Sequence, residues 1–470
     1  MKNRFPLNCL RHRSLAILIA VSVIGCAKPE TLKAAKLTAV GPQAVKTYYV
    51  APTGNDNNDG SVNSPFLTIQ RAQTAAIAGD IVYIRGGNYV MSEAQIARTE
   101  SLYACVTYLN KSGTASARIQ YLAYPGEKPV FDFSNVKPAE KRITAFLITG
   151  SYITIKGLDV KGVQVTLTGH TQSECFRNEG SNNIYEGLKM HDGKANGFYL
   201  TKGGNNLVLN CDAYNNWDDV SEDKKGGNVD GFGCHPNKSG AGYTGNVFRG
   251  CRAWFNSDDG FDCINAMEAI TFDNCWSFHN GYSPSFVKLA NGLGFKIGGF
   301  GVTDFSRVPP VIPRHTVKFC LAVENRTAGF YANHHLGGTD WYNNTAYKNP
   351  VNYNMLNRSA DYTADVPGYG HTLKNNLGYK ATSSEIINID LAKCNVSNNY
   401  FQLSNISITD ADFASLTASL LTQARNADFT LPVNDFLHLA AGSDLVDKGI
   451  DAGLPYSGNS PDLGCFEYKK

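Results

Sequence analysis

The sequence predicts an all-β fold, a right-handed parallel β-helix with an N-terminal capping helix, and three observations lead there. From about residue 150 to 400 the chain is rich in Asn, Gly and short β-branched or aromatic triplets, with no long run of helical period. Similar phrases recur: NNIYEGLKM from Asn182, NNLVLNCDAY from Asn205, GNVFRGCRAW from Gly245, AITFDNCWSF from Ala269, TVKFCLAV from Thr316 and DWYNNTAY from Asp340. Each is a short alternating strand, a Gly, Cys or Asn corner, and a second short strand. With Gly187, Cys211, Cys251, Cys275, Cys320 and Asn344 taken as equivalent corners, the steps are 24, 40, 24, 45 and 24 residues. Such short strands cannot bury a core alone, but stacked coils share a continuous one. A β-sandwich does not account for the recurring 24-residue unit.

The elements follow in chain order. Lys2, Arg4, Arg11 and Arg13 precede the apolar run Leu15–Ile24, and Gly25-Cys26 close it, the pattern of a secretory signal. The run is too short for an ordinary membrane span. Val23-Ile-Gly-Cys26 is similar to a bacterial lipobox, whose Cys is lipidated and becomes the mature N terminus. Residues 1–26 are therefore read as a signal peptide with lipobox, 27–46 as a linker and 47–470 as one solenoid domain. The expected place is the surface or periplasm of a bacterium, with the outer membrane as a candidate anchor.

Next, Leu67-Thr-Ile-Gln-Arg-Ala-Gln-Thr-Ala-Ala-Ile-Ala78 reads as a helix ahead of the strand Ile81-Val-Tyr-Ile84. It would cover the first coil and blunt an open sheet end. Further on, Gly157 and Asn376 extend the series of corners, and Asn suits these places because it tolerates left-handed backbone and bonds neighbouring main chain. Of 12 cysteines, Cys9 and Cys26 belong to the leader, and the other ten are scattered singly without a CxxC pair. Several fall at corners, where a small buried side chain serves without a disulfide.

Lys and Arg number 43 against 41 Asp and Glu, and loss of the four leader cations leaves a net charge of −2. That excludes a global basic field for nucleic acid, so a polyanion must be gripped locally, by a few lysines or a metal. Against this neutral background NSDDGFD, Asn256 to Asp262, packs three carboxylates into one stretch. A Gly-Phe phrase marks each coil, at Gly197-Phe198, Gly231-Phe232, Gly260-Phe261, Gly294-Phe295 and Gly329-Phe330. If the Phe residues stack inside, strand alternation turns the next residue outward. Asp262 then lies between Gly233 and Lys296, and Asp259 lies over Asp230. Coils ~4.8 Å apart would crowd Asp230, Asp258, Asp259 and Asp262 into one patch, where unpaired carboxylates repel. Calcium resolves that conflict with six to eight oxygen ligands in loose geometry. Lys296 sits among Gly292, Gly294, Gly298 and Gly299, which leave room for a bulky ligand beside the sheet.

These residues resemble the family 9 polysaccharide lyases, which act on pectic galacturonans. The likeness rests on GCRAWFNSDDGFD, on NVDGFG before it, on NGLGFKIGG after it, and on YYVAPTGNDNNDGS and PDLGCFEY near the two ends. The resemblance implies calcium held by Asp230, Asp258, Asp259 and Asp262, with Lys296 abstracting the C5 proton of a galacturonate in a β-elimination. It implies an acidic plant cell-wall polysaccharide as partner, homogalacturonan or rhamnogalacturonan I; the expected state of the protein itself is a monomer. Lys202, Arg249, Arg252 and Lys288 are candidate carboxylate clamps, and His334 and His335, one coil above the lysine, are candidate sugar contacts. A long Pro-rich insertion follows Lys296 through Arg314 and bears on the substrate. Two other functions fit the scaffold: a β-helix glycoside hydrolase with Asp258 or Asp259 as acid and base, and a non-catalytic polysaccharide-binding surface protein. The Gly-His-Gly and Arg-Ile-Lys phrases of polygalacturonase-type hydrolases are absent from the sequence.

Overall fold

The computed structural model describes residues 44–169, 172–221, 224–301 and 305–469, so the signal peptide, Cys26 and most of the linker lie outside the described residues. Successive coils each lay one short strand on three parallel sheets. Among the described residues the first sheet has 12 strands, from Thr47–Val50 to Asn395–Ser397. The second has 10, from Gly87–Val90 to Leu377–Tyr379, and the third has 11, from Arg98–Glu100 to Ser384–Ile387. Arg98–Glu100 is turned back antiparallel on Tyr103–Leu109 at the N-terminal edge of the third sheet.

The capping helix spans Ile69–Ala75, shorter than the Leu67–Ala78 stretch. Thr68 starts it by accepting the Arg71 N–H on its hydroxyl at 3.0 Å. Asp80 draws the chain away beyond it, accepting from the N–H groups of Ile77 at 2.9 Å and Lys46 at 2.8 Å. Ile69, Ala72 and Ala76 are buried against the first coil.

The interior is filled in register. Phe232 pairs with Phe261, Phe261 with Phe295, and Phe295 with Phe330. Their rings stack at centroid distances of 5.0, 4.8 and 5.0 Å with near-parallel planes. Truncating one such buried ring to Ala costs ~3–5 kcal/mol in typical cores. Because Phe points in, the residue after it points out, and this alternation sets the site.

The corners between the first and second sheets carry a column of left-handed residues: Gly157, Gly187, Asn210, Gly250, Asn274, Phe319, Asn343 and Asn375. Cys211, Cys251, Cys275 and Cys320 come one place later and are buried. The register corrects the alignment of the glycine corners Gly187 and Gly157. Glu186 pairs with Leu209, so Gly187 stands over Asn210, and Leu188, not Gly187, is the counterpart of Cys211. The two kinds of corner residue were one place out of step because Gly answers to the backbone twist and Cys to the packed interior. All ten described cysteines are free thiols.

Asparagines hold coil to coil elsewhere. Asn216, Asn256, Asn280, Asn325 and Asn349 are fully buried, and each side-chain amide donates to the carbonyl oxygen of the next at 3.0–3.1 Å. The same amides also donate to main-chain carbonyls of the preceding coil, as Asn256 does to Ala213 at 3.0 Å. A net ~1 kcal/mol per bond is typical, but an orphaned buried amide would cost more, so the ladder is cooperative along the helix.

After Asn395–Ser397 the described residues contribute no further strand to the three sheets, and the chain runs back along the first corner. Arg425 reaches Asp212 at 2.7 Å, and Phe429 lies where a Cβ on Gly187 would meet its ring at 2.5 Å. Glycine there is required by that close approach as well as by the turn.

Candidate active site

Asp230, Asp259, Asp262 and Lys296 converge on the outer face of the third sheet. Gly233, Asp262, Lys296 and Tyr331 are paired in sequence on adjacent strands, as the Gly-Phe phrase predicts. The Asp-Gly-Phe phrase also places Asp259 beside Asp230, and the Gly231 N–H donates to the Asp259 carbonyl at 3.0 Å. One carboxylate oxygen from each of Asp230, Asp259 and Asp262 lies within 4.8 Å of the others. The Lys296 ammonium is 3.0 Å from Asp262 Oδ2 and 3.2 Å from Asp259 Oδ2.

Backbone groups fix each carboxylate. Asp230 accepts from the Asp259 N–H at 3.0 Å, Asp259 from the Leu293 N–H at 2.7 Å, and Asp262 from the Ile264 N–H at 2.7 Å. Asp258 faces differently: its two oxygens accept from the N–H groups of Asn228 at 2.7 Å and Asn291 at 2.8 Å. It ties the two loops that flank the cluster, and the close-set oxygen group does not include it. Asp259 Oδ2 is buried without a hydrogen bond, its charge met by the nearby ammonium.

Burial pushes the Asp230 carboxyl well above the usual range, and the charges of Asp262, Asp258 and Asp259 push it further. Asp259 is likewise held high by burial and Asp258, against the pull of Lys296. For Lys296, burial works to lower the ammonium, but Asp262, Asp259, Asp258 and Asp230 together outweigh it and hold it well above its ordinary value. Ionising all three buried carboxylates against one ammonium would leave excess negative charge, and one oxygen, Asp259 Oδ2, has no hydrogen bond. This donor set fits a hard cation such as calcium, which takes carboxylate and carbonyl oxygens in flexible geometry.

The remaining expected residues scatter. Arg249 lies on the first sheet and pairs with Asp273 at 2.9 Å. Arg252 is buried on the second sheet, forked onto Asp212 at 2.8–2.9 Å, so neither arginine joins this face. Strand alternation and coil position, invisible from charge alone, put them on other sides. Lys202 ends on Glu179 at 2.6 Å, and Lys288 is exposed on the loop leading to Asn291. His335 is fully buried, accepting the Gly299 N–H at 3.1 Å and facing the Pro313 carbonyl at 2.8 Å. It anchors the insertion after Lys296 from beneath and offers no nitrogen to a ligand. His334 stays on the surface, 3.1 Å from the Tyr331 hydroxyl and 3.3 Å from Asp365.

Sequence reasoning missed Asn196, whose side-chain oxygen accepts the Asp230 N–H at 2.7 Å. The signal was present: Asn196-Gly-Phe is the same phrase as Asp230-Gly-Phe and Asp259-Gly-Phe, one coil earlier. It also missed Tyr199 and His235, whose rings lean together at 5.0 Å over Gly233. A hollow of about 420 Å³ between the first sheet and the C-terminal segment, bounded by Trp276, His438 and Phe466, shares no residue with this group.

The chain matches the model of the Pel9A-like right-handed β-helix region over residues 48–376. It is 32% identical to pectate lyase L of Dickeya dadantii (strain 3937) over 98% of this chain and 99% of that one. Among solved structures, a rhamnogalacturonan lyase is 49% identical with a TM-score of 0.81, covering 84% of this chain and 96% of that one. Pectate lyase Pel9A is 31% identical with a TM-score of 0.72, covering 91% and 97%. The chain therefore belongs to the Pel9A-like right-handed β-helix family, polysaccharide lyase family 9.

Proposed function

We propose that this polysaccharide lyase cleaves the galacturonate-containing backbone of rhamnogalacturonan I by β-elimination, with Lys296 as base. The observation that carries the reading is the Lys296 ammonium set 3.0–3.2 Å from two carboxylates of a three-carboxylate group on a sheet face. The higher identity to a rhamnogalacturonan lyase, 49% against 31–32% for the pectate lyases named, supports the choice of polymer.

Asp230, Asp259 and Asp262 would hold calcium, with Asp258 bracing the loops around them. When bound, calcium supplies a Lewis acid for the charge that develops on the uronate carboxylate as its C5–H bond breaks. Lys296 must be neutral to take that proton. Its carboxylate neighbours are what hold the ammonium high, so once their charge is neutralised only burial remains, and burial favours the free amine. Lys296 Nζ then takes the C5 proton, the electron pair forms a C4–C5 double bond, and the C4–O bond breaks. The departing oxygen takes a proton from solvent. Export as a lipoprotein through Cys26 belongs to the same proposal, and a mature N terminus without lipid would contradict it.

The test is ultraviolet absorbance of unsaturated uronide during digestion of rhamnogalacturonan I and, separately, de-esterified homogalacturonan, each with calcium and with chelator. A calcium-dependent rise on rhamnogalacturonan I is expected. Reducing ends without absorbance would favour hydrolysis and sink the lyase mechanism.

A further inference from the structure

The carboxylate group is flanked on its N-terminal side by an aromatic pair that the elimination does not use. Tyr199, Gly233 and Asp262 are neighbours on three adjacent strands of the third sheet. Gly233 carries no side chain, and a Cβ there would lie 2.7 Å from the Tyr199 ring and 2.8 Å from His235 Nε2. The two part-exposed rings therefore lie where a side chain at 233 would stand, one step from Asp262.

His235 Nδ1 is 2.7 Å from the Ile264 carbonyl, so that nitrogen carries the hydrogen. Nε2 has no hydrogen-bond partner among the described residues and is left as an acceptor. On the two coils before it the basic side chains of this face are already engaged: Arg177 and Lys202 both end on Glu179 at 2.6 Å. On the other side stand the carboxylates of Asp230, Asp259 and Asp262, with the Lys296 ammonium already engaged by two of them. A second acidic sugar at this position would face negative charge with no cation of its own. A neutral sugar would lay an apolar ring face on Tyr199 and donate a hydroxyl to His235.

We propose that Tyr199 and His235 form the floor of a subsite for the neutral sugar next to the attacked uronate, which selects an alternating neutral–acidic backbone over a continuous polyuronate. This rests on the lyase reading for its kinetic consequence but not for its binding consequence.

The experiment compares wild type with His235→Ala, Tyr199→Ala and His235→Lys. Rates of unsaturated product are measured on rhamnogalacturonan I and on de-esterified homogalacturonan, and calorimetry follows binding of calcium and of rhamnogalacturonan I oligosaccharides. The alanine variants are expected to bind calcium as wild type does, to raise KM on rhamnogalacturonan I about tenfold with kcat little changed, and to weaken oligosaccharide binding about tenfold. His235→Lys should shift preference toward homogalacturonan. Unchanged oligosaccharide binding in both alanine variants, equal losses on the two polymers, or a wild type that prefers homogalacturonan would overturn the proposal. A wild type that forms no unsaturated product from either polymer would overturn the lyase reading, while oligosaccharide binding would still decide the role of the two rings.

Discussion

At the scale of single residues, the balance between Lys296 and its carboxylates decides what the site can do. The structure sets three buried carboxylates against one ammonium, so the two kinds of residue should separate cleanly on substitution. Asp259→Asn removes a buried oxygen that has no hydrogen bond, and calcium affinity measured by calorimetry should fall by more than the ~10- to 100-fold that outer-shell changes cost. Lys296→Ala removes a competing cation, so calcium should bind at least as tightly while turnover falls ~10²- to 10⁴-fold, the range for a lost general base. Calcium binding weakened as much by Lys296→Ala as by Asp259→Asn would contradict these roles. Asp259, Asp262 and Lys296 could be aligned from sequence because a repeated Gly-Phe phrase fixes which neighbours point out. The facing of Asp258 could not, since it depends on loop N–H groups of Asn228 and Asn291, which lie 30 and 33 residues from it in sequence on opposite sides.

At the scale of elements, the excursion after Lys296 shows how buried histidines can hold a loop. His335 accepts the Gly299 N–H, and His371 accepts the Thr339 N–H at 3.0 Å, so each needs an unprotonated nitrogen. Burial pushes His335 down to about 4 and His371 down to about 3. An unfolded chain binds these protons below ~6.5, whereas the folded one does so only near 4 or 3. Their contribution to stability is therefore complete above ~6.5 and declines on acidification, by roughly 1.4 kcal/mol per pH unit per histidine. Melting temperature at saturating calcium should fall between pH 7 and 4.5, and His335→Asn should melt lower at pH 7 with a shallower pH slope. Calcium is needed in that comparison because the raised Asp230 and Asp259 carboxyls contribute with the opposite sign in calcium-free protein. Parallel slopes for the variant and wild type would rule His335 out as a contributor. His334 and His335 are adjacent in sequence, but the backbone is left-handed at Asn333 and His334, and one ring is part-exposed while the other is buried.

At the scale of the whole molecule, stacking made the architecture legible. Repeated corners and inward Phe residues dictate a solenoid, and the structure differs from that reading by one residue at Gly187 and Gly157, where backbone twist rather than packing selects the amino acid. The C-terminal segment that runs back to Asp212 and Gly187 left no periodic trace, because its anchors are isolated contacts such as Arg425 and Phe429. Elimination on this stacked surface is the proposed chemistry on which the other roles depend. Its most direct test is digestion of rhamnogalacturonan I in water labelled with heavy oxygen, followed by mass spectrometry of the fragments. Elimination predicts unsaturated fragments lighter by one water than hydrolytic products, with no label fixed at the broken bond, and their loss in Lys296→Ala. Saturated fragments carrying one labelled oxygen would contradict it.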